Sequence, residues 1–434
     1  MLLSLLLCAQ AQEIPFERYE LPNGLQVILH EDHSLPQVVV DIWYQVGSKD
    51  EAKGRSGFAH LFEHLMFMGT NRLPGSGFDS TMEAYGGWNN AWTMEDATNY
   101  YDVGPANLLP LFLWLEADRM QDLAVAMTQE KVDLQREVVR NERRQSYEDE
   151  PYGAAWLEVP RLLYPEGHPY AHTVIGSHED LQAASLQDVK DFFTAWYVPN
   201  NASLVVAGDF NPAEVKPLIE RSFGHLPMRP LPERLPAVAP TKPQVAAVEV
   251  RDEVEYPQLN LFWISAASYQ PGDADLRLLA SLLGDGESSR LYKKLVLGGM
   301  AQDVQVYQMP NLHSSAFLIS VTLAEGADLR KVEAAVQAEL DALRSTPPSE
   351  AEMQRLKNQF EYNFLTELES LQARAVRLNE YDAYTGSPDY LAQDLARFRA
   401  VSAGSLSEAA KMWLAPEKMA KIVVLPKANE EASQ

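Results

Sequence analysis

Apolar residues recur along this chain in two rhythms, one suited to strands and one to helices. The run Leu21-Pro22-Asn23-Gly24-Leu25-Gln26-Val27-Ile28-Leu29 sets an Asn-Gly turn between strand-like stretches and predicts a hairpin. Val38-Val39-Val40-Asp41-Ile42-Trp43-Tyr44 is almost unbroken in its apolar character and predicts a buried strand. Helical spacing follows over 57–68, 106–120 and 128–147. Strands and helices in this order do not alternate as regular βαβ units, so the pattern predicts an α+β fold.

The pattern also repeats. Ser185-Leu186, Trp196-Tyr197-Val198-Pro199 and the strand-like Leu204-Val205-Val206 return as Ser405-Leu406, Trp413-Leu414-Ala415-Pro416 and Ile422-Val423-Val424, about half the chain later. Such spacing predicts duplication of one domain. Between the copies lies Leu226-Pro227-Met228-Arg229-Pro230-Leu231-Pro232, continuing to Pro236, Pro240 and Pro243. Each Pro fixes φ and removes a backbone donor, which predicts an extended connection. The expected division is therefore a first domain over 12–225, a linker over 226–245 and a second domain over 246–434.

The opening Met1-Leu2-Leu3-Ser4-Leu5-Leu6-Leu7-Cys8-Ala9-Gln10-Ala11 resembles the end of a secretory signal peptide cut after Ala11, although its basic leading region is missing. It is too short to span a bilayer, which takes about 20 apolar residues, and no later stretch reaches that length. The expectation is a periplasmic or secreted protein. Cys8 is the only cysteine of the 434 residues, so a cleaved chain would exclude disulfides, thiolate catalysis and cysteine-bound metals. The formal charge of −25 argues against nucleic acid as a partner, because phosphate backbones are bound by clustered Lys and Arg.

The chemistry is concentrated in Gly57-Phe58-Ala59-His60-Leu61-Phe62-Glu63-His64-Leu65-Met66-Phe67-Met68-Gly69, a His-x-x-Glu-His pattern with Ser56 as expected N-cap and Gly69 as expected stop. At about 100° per residue, His64 falls about 40° from His60 and Glu63 about 60° to the other side. One face therefore carries two imidazoles and a carboxylate, while Phe58, Leu61, Phe62 and Leu65 form the opposite, apolar stripe. Two His one turn apart can grip one Zn²⁺, and a carboxylate beside them can take a proton from an acidified water. His168-Pro169-Tyr170-Ala171-His172 has the same His spacing, but Pro169 disfavours a helix and no Glu intervenes. Gly284-Asp285-Gly286-Glu287-Ser288-Ser289 lacks the Gly-Lys-Ser/Thr ending of a phosphate loop and reads as the start of a helix. A catalytic zinc needs a third protein ligand, and composition does not choose among so many acidic residues.

His-x-x-Glu-His is the inverted zincin signature. With Gly86-Gly87-Trp88-Asn89-Asn90-Ala91-Trp92-Thr93, Arg136-Glu137-Val138-Val139-Arg140-Asn141-Glu142, His168-Pro169-Tyr170, Gly176-Ser177 and Ser288-Ser289-Arg290-Leu291-Tyr292, the chain resembles the pitrilysin/insulinase family over most of its length. It is most similar to the short bacterial members akin to the mitochondrial processing peptidase. The resemblance implies two homologous domains, each a mainly antiparallel sheet packed with helices, and one Zn²⁺ per chain held by His60, His64 and Glu142. It implies zinc-dependent endopeptidase activity on unfolded peptides, with Glu63 as general base and an edge strand at Asn90, Ala91 and Trp92 pairing with the substrate backbone. Gln135 stands where the family usually has a second Glu, which puts the support of the metal site in question.

The same family draws an Arg and a Tyr from its second half to bind the oxyanion. At the matching positions this chain has Val296 and Gln302. The expectation is that a related subunit supplies the pair, so that the active form is a heterodimer around a peptide substrate. The alternative is a catalytically silent binding or scaffold subunit.

Overall fold

The computed structural model describes residues 13–427; the candidate signal segment over 1–11 lies outside them. Two sheets form the frame. The first contains β1 (Glu17–Glu20), β2 (Gln26–Glu31), β3 (Gln37–Tyr44), β4 (Trp88–Thr93), β5 (Thr98–Pro105) and β6 (Ala202–Gly208), in the order β1-β2-β6-β3-β5-β4. The second contains β7 (Ala247–Asp252), β8 (Gln258–Ser265), β9 (Ala301–Met309), β10 (Ser315–Leu323) and β11 (Ala420–Pro426), in the order β7-β11-β8-β10-β9. In each, one parallel pair (β2 with β6, β7 with β11) sits in an otherwise antiparallel sheet. Apart from the extra hairpin strand β1, the two orders superpose strand for strand. The fold is α+β with two homologous domains, each a mainly antiparallel sheet packed with helices.

Local signals account for the matched parts. The Asn23-Gly24 turn, with Gly24 at φ 85°, joins β1 to β2 in register Glu20 to Gln26. Trp196 and Trp413 each end a helix (Leu186–Trp196, Ala403–Trp413) that leads through a short Pro-initiated turn into β6 or β11. The Ser-Leu pairs do not correspond, however. Ser185 caps the first of these helices, whereas Ser402 caps the second and Ser405 lies one turn inside it.

Both faces of each sheet are covered, which is why β3 is buried along nearly its whole length. Val38, Val40 and Ile42 point to helices of their own half, while Val39 joins Val205 and Ala207 against Leu378 and Tyr381 from the helix Leu371–Thr385 of the other half. The second sheet mirrors this. Leu259, Leu261 and Trp263 face their own helices, and Phe262 and Ile264 are covered by Val159, Leu162 and Leu163 of the first half. Each half thus closes the core of the other. A polar clasp reinforces the exchange: Asn379 of the covering helix donates to the Asp41 carbonyl at 3.2 Å and to its carboxylate, and Ser203 donates to Asn379.

Residues 227–246 carry neither helix nor strand, yet they are pinned to the first domain. Arg229 and Asn200 exchange two hydrogen bonds, Arg234 lies over the Trp196 ring and pairs with Asp50, and the Gln244 amide donates to Leu162. Among the described residues no helix is both long and apolar enough to cross a membrane.

Candidate metal centre

Two helices build the site. α1 (Phe58–Leu65) carries His60, Glu63 and His64; Phe58, Leu61, Phe62 and Leu65 are buried, leaving the polar side partly exposed. Its start differs from expectation. Gly57, at φ 88°, occupies the N-cap, and Ser56 instead donates its hydroxyl to Asp180 and accepts from the Ser177 amide. A Cβ on Gly57 would stand 2.8 Å from the Ile175 carbonyl, and one on Gly176 would stand 2.5 Å from Gly57 Cα, so this glycine pair allows the two loops to touch. The missing cap is supplied from the segment leading into the helix: the buried Glu51 carboxylate accepts from the amides of Gly57 (3.0 Å) and Ala59 (2.7 Å). His172 Nε2 lies 2.9 Å from the same carboxylate. α1 ends at Leu65, before Gly69, because the chain turns at 66–67.

After α2 (Gly77–Glu83) and α3 (Leu109–Ala126) comes α4 (Gln129–Arg143), capped by Thr128 and held through buried Val132 and Val139. Glu142 lies in its last turn, just before a π turn over Arg144–Glu148. Glu142 Oε1 is 3.6 Å from His60 Nε2, and Oε2 is 3.3 Å from His64 Nε2. One donor atom from each of the three residues lies within 4.8 Å of the others. Tetrahedral ligands at 2.0–2.1 Å from a zinc ion stand about 3.4 Å apart, so this donor set fits such an ion. The imidazoles are nearly perpendicular, with ring centroids 4.8 Å apart. Gln135 lies on the same side, against His64 and 2.8 Å from Met68 Sδ, while Glu137 points away and pairs with Arg140.

Electrostatics match the geometry. Burial pushes the His60 pKa down to about 4, favouring the neutral imidazole that a metal requires. At His64 burial acts in the same sense, but the hydrogen bond and charge of Glu142 outweigh it and hold the pKa above its usual value. The His64 contact, against burial, lowers the pKa of Glu142. Glu63 goes the other way: burial raises its pKa despite a hydrogen bond from Thr93.

Thr93 ends β4, which among the described residues is paired only with β5, leaving its other edge open. Asn90 and Ala91 lie along that edge, and Trp92 is partly buried edge-on to Trp43 at 5.0 Å. Val296 packs against the second domain's core, and Gln302 is exposed on β9. Arg290 is engaged by Glu352 and Glu339. His168 and His172 lie outside helices and strands, as Pro169 predicts, and neither belongs to the donor set: His168 stacks on Tyr164, and His172 meets Glu51. Residues 285–289 lead into the helical turn that includes Tyr292–Val296. Sequence reading missed Glu51 and Thr93 as partners of α1. The Thr93 contact is tertiary, and Glu51, six residues before Gly57, matches no standard capping position, so neither leaves a recognisable local signal.

The chain belongs to peptidase family M16, the insulinase family. Residues 26–160 match the family described as Insulinase (Peptidase family M16), and residues 183–360 match the Peptidase M16 inactive domain. Zinc protease PqqE of Helicobacter pylori is 31% identical over 369 residues, covering 83% of this chain and 82% of that protein. The β subunit of the mitochondrial-processing peptidase of Blastocladiella emersonii is 29% identical over 209 residues, 48% of this chain and 46% of that protein. The crystal structure of a protease from Helicobacter pylori superposes with a TM-score of 0.88 at 27% identity, covering 95% of this chain and 100% of that one.

Proposed function

We propose that the chain is a zinc-dependent endopeptidase that hydrolyses unfolded peptides. The observation that carries this reading is the convergence of His60, His64 and Glu142, with Glu63 on the same helix and outside that triangle. These three side chains would hold the ion, and bound zinc supplies Lewis acidity toward a carbonyl and toward water. Glu63 takes a proton from water at the site and returns it to the leaving amine; a carboxyl with a raised pKa suits both transfers. Thr93 fixes the orientation of that carboxylate. The open edge of β4 at Asn90, Ala91 and Trp92 offers backbone groups to an extended peptide, a contact that reads main chain and tolerates many sequences. Gln135 supports His64 without adding charge.

A related subunit would supply the Arg and Tyr that Val296 and Gln302 do not, so the working form is a heterodimer enclosing its substrate. Similarity to a protein named as a subunit of a processing peptidase supports this pairing. The opening segment supports export to the periplasm or the medium. A second reading, a catalytically silent scaffold subunit, is favoured only by Val296 and Gln302 and by the inactive-domain match over 183–360. Cleavage of an unfolded peptide is to be measured for the pure chain and for the chain with its co-purifying partner, each with and without a chelator. Zinc-reversible inhibition and a large gain from the partner are expected. Cleavage indifferent to the chelator would defeat the zinc reading, and full activity of the rigorously pure chain would defeat the two-subunit reading.

A further inference from the structure

Residues 51–56 and 161–172 enclose a cavity of about 530 Å³, bordered also by Leu235 and Gln244 of the connecting segment. That volume lies within the ~300–1,000 Å³ of small-molecule sites. None of His60, Glu63, His64 and Glu142 borders it, but Glu51, which caps α1, does. Much of the wall is apolar, from Tyr164, Pro165, Pro169, Ala171 and Leu235. Lys53 of one stretch pairs with Glu166 of the other at 3.0 Å; both side chains are almost fully exposed, so the pair holds the two stretches together only weakly.

The carboxylates of the cavity are occupied. Glu51 accepts from the Gly57 and Ala59 amides and from His172, Asp180 accepts from the Ser56 amide and hydroxyl, and Glu166 pairs with Lys53. Donors are left over. His172 Nε2 lies 2.9 Å from the Ser48 carbonyl and 2.9 Å from Glu51, two acceptors, so it carries a proton. Burial opposes a charge there, but the hydrogen bond and charge of Glu51 outweigh it and hold the pKa of His172 above its usual value. The other proton of that imidazolium sits on Nδ1, which has no hydrogen-bond partner among the described residues. His168, nine-tenths buried, accepts from the Tyr170 amide at Nδ1 (3.0 Å), which puts its own proton on Nε2. That N–H also lacks a partner among the described residues; the Val238 carbonyl acts on it from outside hydrogen-bond geometry. A buried donor with no acceptor is costly and calls for one.

We propose that this cavity is an effector site for a small organic anion, a carboxylate on an apolar body, whose oxygens accept from His172 with the His168 N–H as second donor, and whose body lies against Tyr164 and the prolines. Its effect reaches α1 through Glu51: an anion that fixes His172 also fixes the carboxylate capping the helix that carries His60, Glu63 and His64. The site does not rest on the peptidase reading, because none of its groups belongs to the candidate metal centre.

The test is calorimetric titration of the full chain with acetate, hexanoate and 3-phenylpropionate, each beside its neutral amide. Hexanoate or 3-phenylpropionate should bind once per chain, on the order of tenfold more tightly than its amide, and acetate, which lacks the apolar body, more weakly. His172→Gln keeps a donor for Glu51 and loses the charge, so the ratio of acid to amide should fall close to one. Ala52→Trp, at an exposed position on the cavity wall that takes no part in the cap, should fill the space and abolish binding even if His172→Gln fails to fold. Hydrogen exchange of the amides over 57–65 should slow when the acid is added to the parent and not when it is added to Ala52→Trp. No saturable binding of any of the acids, equal binding of acid and amide by the parent, or binding that survives both variants would overturn the site. Binding with the expected dependence but unchanged exchange over 57–65 would overturn its coupling to α1.

Discussion

Thr93, the last residue of the edge strand β4, donates its hydroxyl to the Glu63 carboxylate of α1. The strand offered to a substrate and the helix offered to a metal therefore meet at the group assigned to proton transfer. Glu63→Gln keeps the shape of that side chain and removes its basicity. Turnover should fall by about 10²–10⁴ with metal content unchanged. Thr93→Val, which removes one hydrogen bond to a charged group, should cost on the order of tenfold in kcat/KM. Steady-state kinetics beside metal analysis check both; a Glu63→Gln protein that cleaves at the parent rate would remove Glu63 from the mechanism.

Glu51 should matter for a different reason. Its fully buried carboxylate caps two amides at the start of α1 and meets His172, so Glu51→Ala strands three polar groups away from water. The cost should be about 3 kcal/mol or more in urea unfolding. Metal retention should weaken in parallel, because fraying α1 displaces His60 and His64. A loss below about 1 kcal/mol would contradict the capping role.

Asp41 sets a pH dependence at the junction of the halves. Burial, against hydrogen bonds from Asn379 and Asn99, pushes its pKa up to about 7. An unfolded Asp titrates near 3.9, so between about pH 4 and 7 the folded chain binds more protons than the unfolded one. Stability from this group is complete below pH 4, declines as pH rises through 7 by up to about 1.4 kcal/mol per unit, and is flat above. Asp41→Asn should remove that decline. Unfolding midpoints at pH 4.5 and 7.5 would show a smaller difference in the variant than in the parent, and an equal difference would place the titration elsewhere.

What the sequence made legible was local. His60, Glu63 and His64 share a face because one turn of helix puts them there, and Val38–Tyr44 announces a strand buried on both sides. The repeated Trp-x-x-Pro elements marked equivalent points of the two domains. The exchange of covering elements had no such signature: nothing near Leu378 or Tyr381 in sequence says that they pack on Val39 and Val205. The cap of α1 was misassigned because a remote residue claims the local candidate. Ser56 is a good local candidate, but Asp180 claims its hydroxyl and Glu51 takes its place. Glu142 came from the family resemblance, since helical geometry alone does not select one carboxylate from sixty-one acidic residues.

The most direct test is the zinc content of the purified chain and of its His64→Ala and Glu142→Ala variants, measured by plasma mass spectrometry after dialysis against a weak chelator. About one zinc per chain is expected in the parent, with loss of most of it in either variant while the far-ultraviolet circular dichroism is retained. A parent that holds no zinc, or variants that hold as much as the parent, would contradict the account.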